Sequence, residues 1–193
     1  MSNIPQNLIL HHSAVSRTQN SQQFTAIDNY HKSKGWGKIG YHYLIEPDGE
    51  LKTGRAPSEI GAHCSQQLMN YRSLGICLTG NFDLEEPTKL QLQTLTKLVR
   101  VLRLRYGIPA QKLFAHRYFA NYKSCPGTNF TEDLIQKIAV GNSFATVPNW
   151  SLPLLADFRE AGVQTDPLNK VGELPLYQLW GVMKKLVKAG RAS

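Results

Sequence analysis

Two imidazoles and one thiol are the residues of this chain best suited to metal chemistry. His11 closes the apolar run Asn7-Leu8-Ile9-Leu10, and His116 closes Leu113-Phe114-Ala115. Cys125 follows His116 after the polar and aromatic loop 117–124, and Pro126-Gly127 sets a turn directly behind it. Zinc prefers imidazole nitrogen and thiolate sulfur, and a catalytic zinc keeps three protein ligands and one open position. Either histidine alone reads as a hydrogen-bonded structural residue. A strand-end histidine combined with a distant His-loop-Cys pair reads as the His2Cys set of such a site. His12 competes with His11 for the first position, but neighbours on a strand point to opposite faces. A His-Glu-x-x-His helix motif is absent, so no glutamate is available as the general base of that arrangement.

The elements that must position these residues alternate between strand and helix. Residues 7–12 read as a short buried strand, and a helix is expected from about 20 to 33, with Phe24, Ile27 and Tyr30 or His31 on its inner face. Gly35-Trp36-Gly37 is a loop. Residues 41–45 and 50–52 flank Pro47-Asp48-Gly49, a hairpin turn. Residues 74–79 form another buried strand, in which Cys77 reads as a small apolar residue. Thr88 and Gln91 make a capping box for a helix that turns Leu95, Leu98, Val99 and Leu102 to one side and stops near Gly107. Residues 113–115 give a strand, and a last helix begins near Thr131. The pattern predicts an α/β domain over 1–140, with a mixed central sheet flanked by helices. A linker is expected over 141–149. Beyond it, 150–193 reads as a small helical C-terminal module whose apolar stripe holds Leu176, Leu179, Trp180, Met183, Leu186 and Val187.

The net charge of +8 and the pI near 9.5 suit a polyanionic partner. No apolar run approaches the roughly 20 residues of a membrane helix, so membrane insertion is not expected. Aromatic and basic residues do not interleave as they do where bases are stacked, so nucleic acid is not expected either. Three cysteines are too few for a disulfide scaffold, although Cys64 is free to pair with Cys77. Residues 1–5 lack a basic segment followed by an apolar one, and no secretory signal is read there.

Five ordered blocks resemble the type 2 N-acetylmuramoyl-L-alanine amidases, the group that includes phage lysozyme-type amidases and peptidoglycan-recognition proteins. They are Leu8 to Ala14, Ile39 to Ile45 with Asp48-Gly49, Gly61 to Cys64, Asn70 with Ser73 to Phe82, and Ala115 to Arg117 continuing through Lys123 to Gly127. Together they cover about residues 5–140. The resemblance implies one Zn2+ per chain, held by His11, His116 and Cys125, and it favours His11 over His12.

It also implies catalytic roles for Tyr41 and Lys123. The physics agrees, because attack on an amide creates an oxyanion that a metal, an ammonium and a phenol can stabilise in a partly dry cleft. Tyr41 is in addition the candidate proton acceptor. His63 and Asn70 are expected to contact substrate. The implied reaction is hydrolysis of the amide between N-acetylmuramic acid and L-alanine in bacterial peptidoglycan. The alternative is a peptidoglycan-binding module without activity, although such family members typically lack the cysteine. Wall hydrolysis without a signal sequence suggests a phage endolysin, made in the cytoplasm and released through a separate membrane pore. Anionic wall polymers are expected as further partners, the chain is expected to be a monomer, and the tail is expected to target the wall.

Overall fold

The computed structural model describes residues 2–17 and 23–141. The expected linker and helical module, and the start of the first expected helix, lie outside the described residues. Contacts divide the chain into Met1–Gly141 and Asn142–Ser193.

Five strands form one mixed sheet. They are β1 (Asn7–His12), β2 (Tyr43–Ile45), β3 (Leu51–Thr53), β4 (Ser73–Leu78) and β5 (Leu113–Ala115), in the order β3-β2-β4-β1-β5. β1 lies between β4 and β5, parallel to both, and β2 is parallel to β4. Among the described residues only the β2–β3 hairpin is antiparallel. Side chains alternate between the faces of a strand, and here the alternation sorts the core into two layers. Leu8 and Leu10 of β1 and Leu74, Ile76 and Leu78 of β4 face two helices, α2 (Lys89–Tyr106) and α3 (Glu132–Val140). Ile9 packs on the other face with Cys64 and Met69. Leu44 and Cys77 meet Phe24 and Ile27 of the third helix, α1 (Phe24–Ser33), on that same side.

The helix ends show why these segments stop where they do. Thr88 accepts from the Gln91 N–H, and the Gln91 side chain accepts from the Thr88 N–H, completing the expected box. Gln91 also donates to the carbonyls of Ile45 and Thr79, and Thr94 donates to Gly49, which ties α2 to the hairpin. Gly107 and Gly141 close α2 and α3 in left-handed conformations, at φ 64° and 72°. Leu95, Val99 and Ile135 are almost fully buried between the helices and the sheet. Each such side chain contributes about 2 kcal/mol.

The structure moves the start of one expected strand and chooses between the two residues named for the inner face of α1. The strand expected from residue 41 begins at Tyr43; ahead of it the Tyr41 and His42 carbonyls accept from Arg55 and Gly54, and the His42 N–H donates to the Gly75 carbonyl of β4. On α1 it is His31 that is buried, while Tyr30 is exposed. The start of α1 carries no cap of its own. The backbone N–H groups of Gln23 and Phe24 donate to the buried carboxylate of Glu46, which follows β2. Cys64, Cys77 and Cys125 are all free thiols.

Candidate active site

Parallel strands place their C-terminal ends on one edge of the sheet, and there β1 ends in His11-His12 and β5 leads into His116. His11 faces the same side as Ile9, and His12 the side of Leu8 and Leu10. His12 Nδ1 accepts the Phe82 N–H at 3.2 Å. That bond occupies His12 and leaves His11 to face the other two expected ligands.

Those ligands do converge. One donor atom from each of His11, His116 and Cys125 lies within 4.8 Å of the others, and all three residues are buried. His11 Nδ1 is 3.7 Å from the Cys125 sulfur. Nitrogen and sulfur bound tetrahedrally to one zinc, at about 2.1 and 2.3 Å, stand about 3.5 Å apart. The donor set and its spacing therefore fit zinc. Burial is the main cause of low basicity in both imidazoles. It holds His11 well below its usual pKa, with His63 and His116 adding to the effect. His116 is pushed down to about 4 by burial, with Lys123 and His12 next in size. Both rings are thus neutral at pH 7, the form that binds a metal. Burial pushes the Cys125 thiol up to about 11 in the absence of a cation. A bound cation reverses that preference.

The loop carrying Cys125 is held from β4's far end. Asp83 accepts from the Ser124 hydroxyl at 2.7 Å and from the Thr128 N–H at 2.9 Å. Asn129 N–H donates to the Phe82 carbonyl, and Gly127 sits so close that a Cβ there would lie 2.4 Å from the Phe82 carbonyl carbon. Gly127 also has φ 108°, a conformation that favours glycine.

His11, His116 and Cys125 open into a groove of about 460 Å³ lined also by Tyr41, His63 and Lys123. The Tyr41 ring lies 5.1 Å from the His11 ring. Burial, with the Cys77 and Cys125 thiols next, holds the Tyr41 pKa well above 10. A phenol so held is a hydrogen-bond donor near neutral pH. Lys123 is exposed on the groove wall, its ammonium 5.6 Å from the Tyr122 ring. Past Tyr41 and His31 the groove adjoins an apolar pocket of about 400 Å³ along α1, with Val15, Ala26 and Ile27 in its lining.

His63 is in the groove lining, but its Nδ1 is 3.1 Å from His11 Nε2. Asn70 is outside the lining. Its side-chain oxygen accepts the N–H groups of His63 and Cys64, at 2.9 and 2.8 Å. The groove also contains His31, Trp36, Asp83, Tyr122 and Ser124, none of them read from the sequence as a site residue. Trp36 between two glycines was the available signal. Asp83 had none, since its role depends on a loop distant in the chain.

Comparison with known proteins agrees with this geometry. The profile of the N-acetylmuramoyl-L-alanine amidase family matches residues 1–128. The endolysin of Escherichia phage T7 is 33% identical over 124 residues, covering 62% of this chain and 78% of the endolysin. Peptidoglycan-recognition protein SC1a of Drosophila melanogaster is 34% identical over 135 residues, covering 65% of this chain and 70% of that protein. The structure of the N-acetylmuramoyl-L-alanine amidase LysC from Clostridium intestinale URNW superposes with a TM-score of 0.62 at 34% identity, over 69% of this chain and 84% of LysC. The match spans the whole set of strands, the groove and the His11–His116–Cys125 cluster, and the chain belongs to the N-acetylmuramoyl-L-alanine amidase family.

Proposed function

We propose that the protein is a zinc-dependent amidase that hydrolyses the bond between N-acetylmuramic acid and L-alanine in bacterial peptidoglycan, and that it serves as an endolysin. The observation that carries this reading is the meeting of His11, His116 and Cys125 at the floor of an open groove, beside the Tyr41 ring. Zinc held there supplies Lewis acidity toward the scissile carbonyl and lowers the pKa of solvent toward about 7. The chain's own residues do the rest. Tyr41, which keeps its proton, donates a hydrogen bond to the oxygen that gains charge as the amide is attacked. The Lys123 ammonium on the groove wall offsets the same charge. The buried, neutral imidazoles leave that site with few competing protons.

A digest of purified peptidoglycan tests the reading. Mass spectrometry should find stem peptides with a free L-alanine amine and glycan strands with intact lactyl carboxylates. Chelation should stop the reaction and added zinc restore it. Cys125→Ala should lose both stoichiometric zinc and lysis, and full lysis by that variant would overturn the assignment.

A binding module without catalysis is the second reading, suggested by the likeness to a recognition protein. The thiol of Cys125, placed at ligand distance from His11, favours the enzyme. Dye release from stained walls, with and without chelator, separates the two. As an endolysin the protein would be made in the cytoplasm and reach the wall through a separate pore. Among the described residues no helix is long and apolar enough to cross a membrane. The basic tail, with Lys184, Lys185, Lys188 and Arg191, would then help hold anionic wall polymers.

A further inference from the structure

We propose that His63 is a positioning residue for the metal ligand His11, and that Asn70 in turn positions His63. The inference rests on the zinc reading above and assigns these two residues a role other than contact with substrate.

The proton arrangement leads to it. His11 Nδ1 faces the Cys125 sulfur at 3.7 Å, so this nitrogen must carry the lone pair offered to the metal. A neutral imidazole has one proton, which then sits on Nε2. His11 Nε2 is 3.1 Å from His63 Nδ1, and so donates to it. A ligating histidine commonly gives its second N–H to a fixed acceptor, which sets the tautomer, stops the ring rotating and makes the ligand more basic. His63 is that acceptor here, in place of a carboxylate or carbonyl. Accepting at Nδ1 leaves His63 with its own proton on Nε2, which is buried with no hydrogen-bond partner. One nitrogen is engaged by His11 and the other is out of solvent. Neither nitrogen is then free to meet a ligand in the groove, which is a poor arrangement for recognising a polar substrate.

The surroundings hold His63 still. Its ring lies over Gly75 of β4, where a Cβ would come within 2.5 Å of it, and beside Gly61, where a Cβ would come within 2.6 Å. Neither position can carry a side chain while the ring stays in place. The backbone at 63 is fixed by Asn70, whose oxygen takes both the His63 and Cys64 N–H groups, while its own carbonyl accepts from Gly61 at 2.9 Å. Support thus passes from Asn70 to His63, then to His11 and the metal.

The test is the zinc dissociation constant, measured by chelator competition on the full chain, together with KM and kcat on soluble peptidoglycan fragments at saturating zinc. His63→Leu fills the ring's space without an acceptor, and should weaken zinc binding about 10- to 100-fold. His63→Asn places an amide oxygen close to where Nδ1 stood, and should recover most of that loss. Asn70→Ala should weaken zinc binding in the same direction, and all three should leave KM near its wild-type value once zinc is saturating. Unchanged zinc affinity in His63→Leu, or a raised KM as its only defect, overturns the proposal. If His63→Leu fails to fold, unchanged zinc affinity in Asn70→Ala overturns it instead. A wild-type chain that binds no zinc defeats the metal reading itself, a result distinct from either.

Discussion

The Ser124 hydroxyl donates to the carboxylate of Asp83 at 2.7 Å, one residue away from the Cys125 thiol. The same carboxylate takes the Thr128 N–H, so a single side chain grips the cysteine loop on both sides of Cys125. These bonds, Ser124 foremost, hold the Asp83 carboxyl below its ordinary pKa.

Asp83→Ala should release the loop. Hydrogen bonds to a charged group are worth about 1.5–3 kcal/mol each, and partial exposure puts the total toward the low end of that range. The expected outcome is a lower unfolding temperature and weaker zinc binding, read by thermal denaturation with and without zinc. Equal stabilisation by zinc in variant and wild type would show that Asp83 does not support the ligand.

Zinc uptake should release about one proton per ion at pH 7. Cys125 starts as a thiol, pushed up to about 11 by burial, and must become a thiolate to bind. His11 and His116 are already neutral and release none. Calorimetric titration in two buffers of different ionisation enthalpy counts the protons, and a count near zero would argue against the sulfur as ligand.

The metal-free domain should lose stability as the pH falls from about 6.5 to about 4. His42 is fully buried, its Nδ1 accepting from the Gly75 N–H and its Nε2 against the Glu59 carbonyl, both at 3.0 Å. Burial above all pushes its pKa down to about 4. The unfolded chain then takes up a proton across this window while the folded one does not. Stability present above pH 6.5 is therefore lost as the pH drops toward 4, by up to about 3 kcal/mol. Urea denaturation at pH 7 and pH 4.5 measures the loss. His42→Gln should be less stable at pH 7 and should show a smaller drop between the two.

Thr88→Ala removes one half of the α2 capping box and the bond from Thr88 to the Pro47 carbonyl. It should cost about 1 kcal/mol of stability. Zinc affinity should stay as it was, because α2 gives no residue to the groove lining. A loss of zinc binding in this variant would mean that the helix and the metal centre are coupled.

A chain ending at Gly141 should keep amidase activity on soluble fragments and pellet less with intact walls. Unchanged pelleting would defeat wall targeting by residues 142–193.

The boxed helix α2 and the order of strands and helices were readable from residue types and spacing, and the same signals made His11, His116 and Cys125 a candidate set that the family resemblance then favoured. Each depends on local chemistry: period-two alternation in β1, a threonine three residues before a glutamine, a cysteine locked before Pro-Gly. Alternation alone also predicted that His11 and His12 would part company. Which face held the site was decided only when the Phe82 N–H met His12 and the Cys125 sulfur met His11, across 70 and 114 residues of chain. The duties of Asp83, Asn70 and Glu46 stayed hidden for the same reason. An acidic or amide side chain in a loop looks the same in sequence whether it is solvated or gripping a distant backbone. Only packing of the finished sheet brings its partners within hydrogen-bond range.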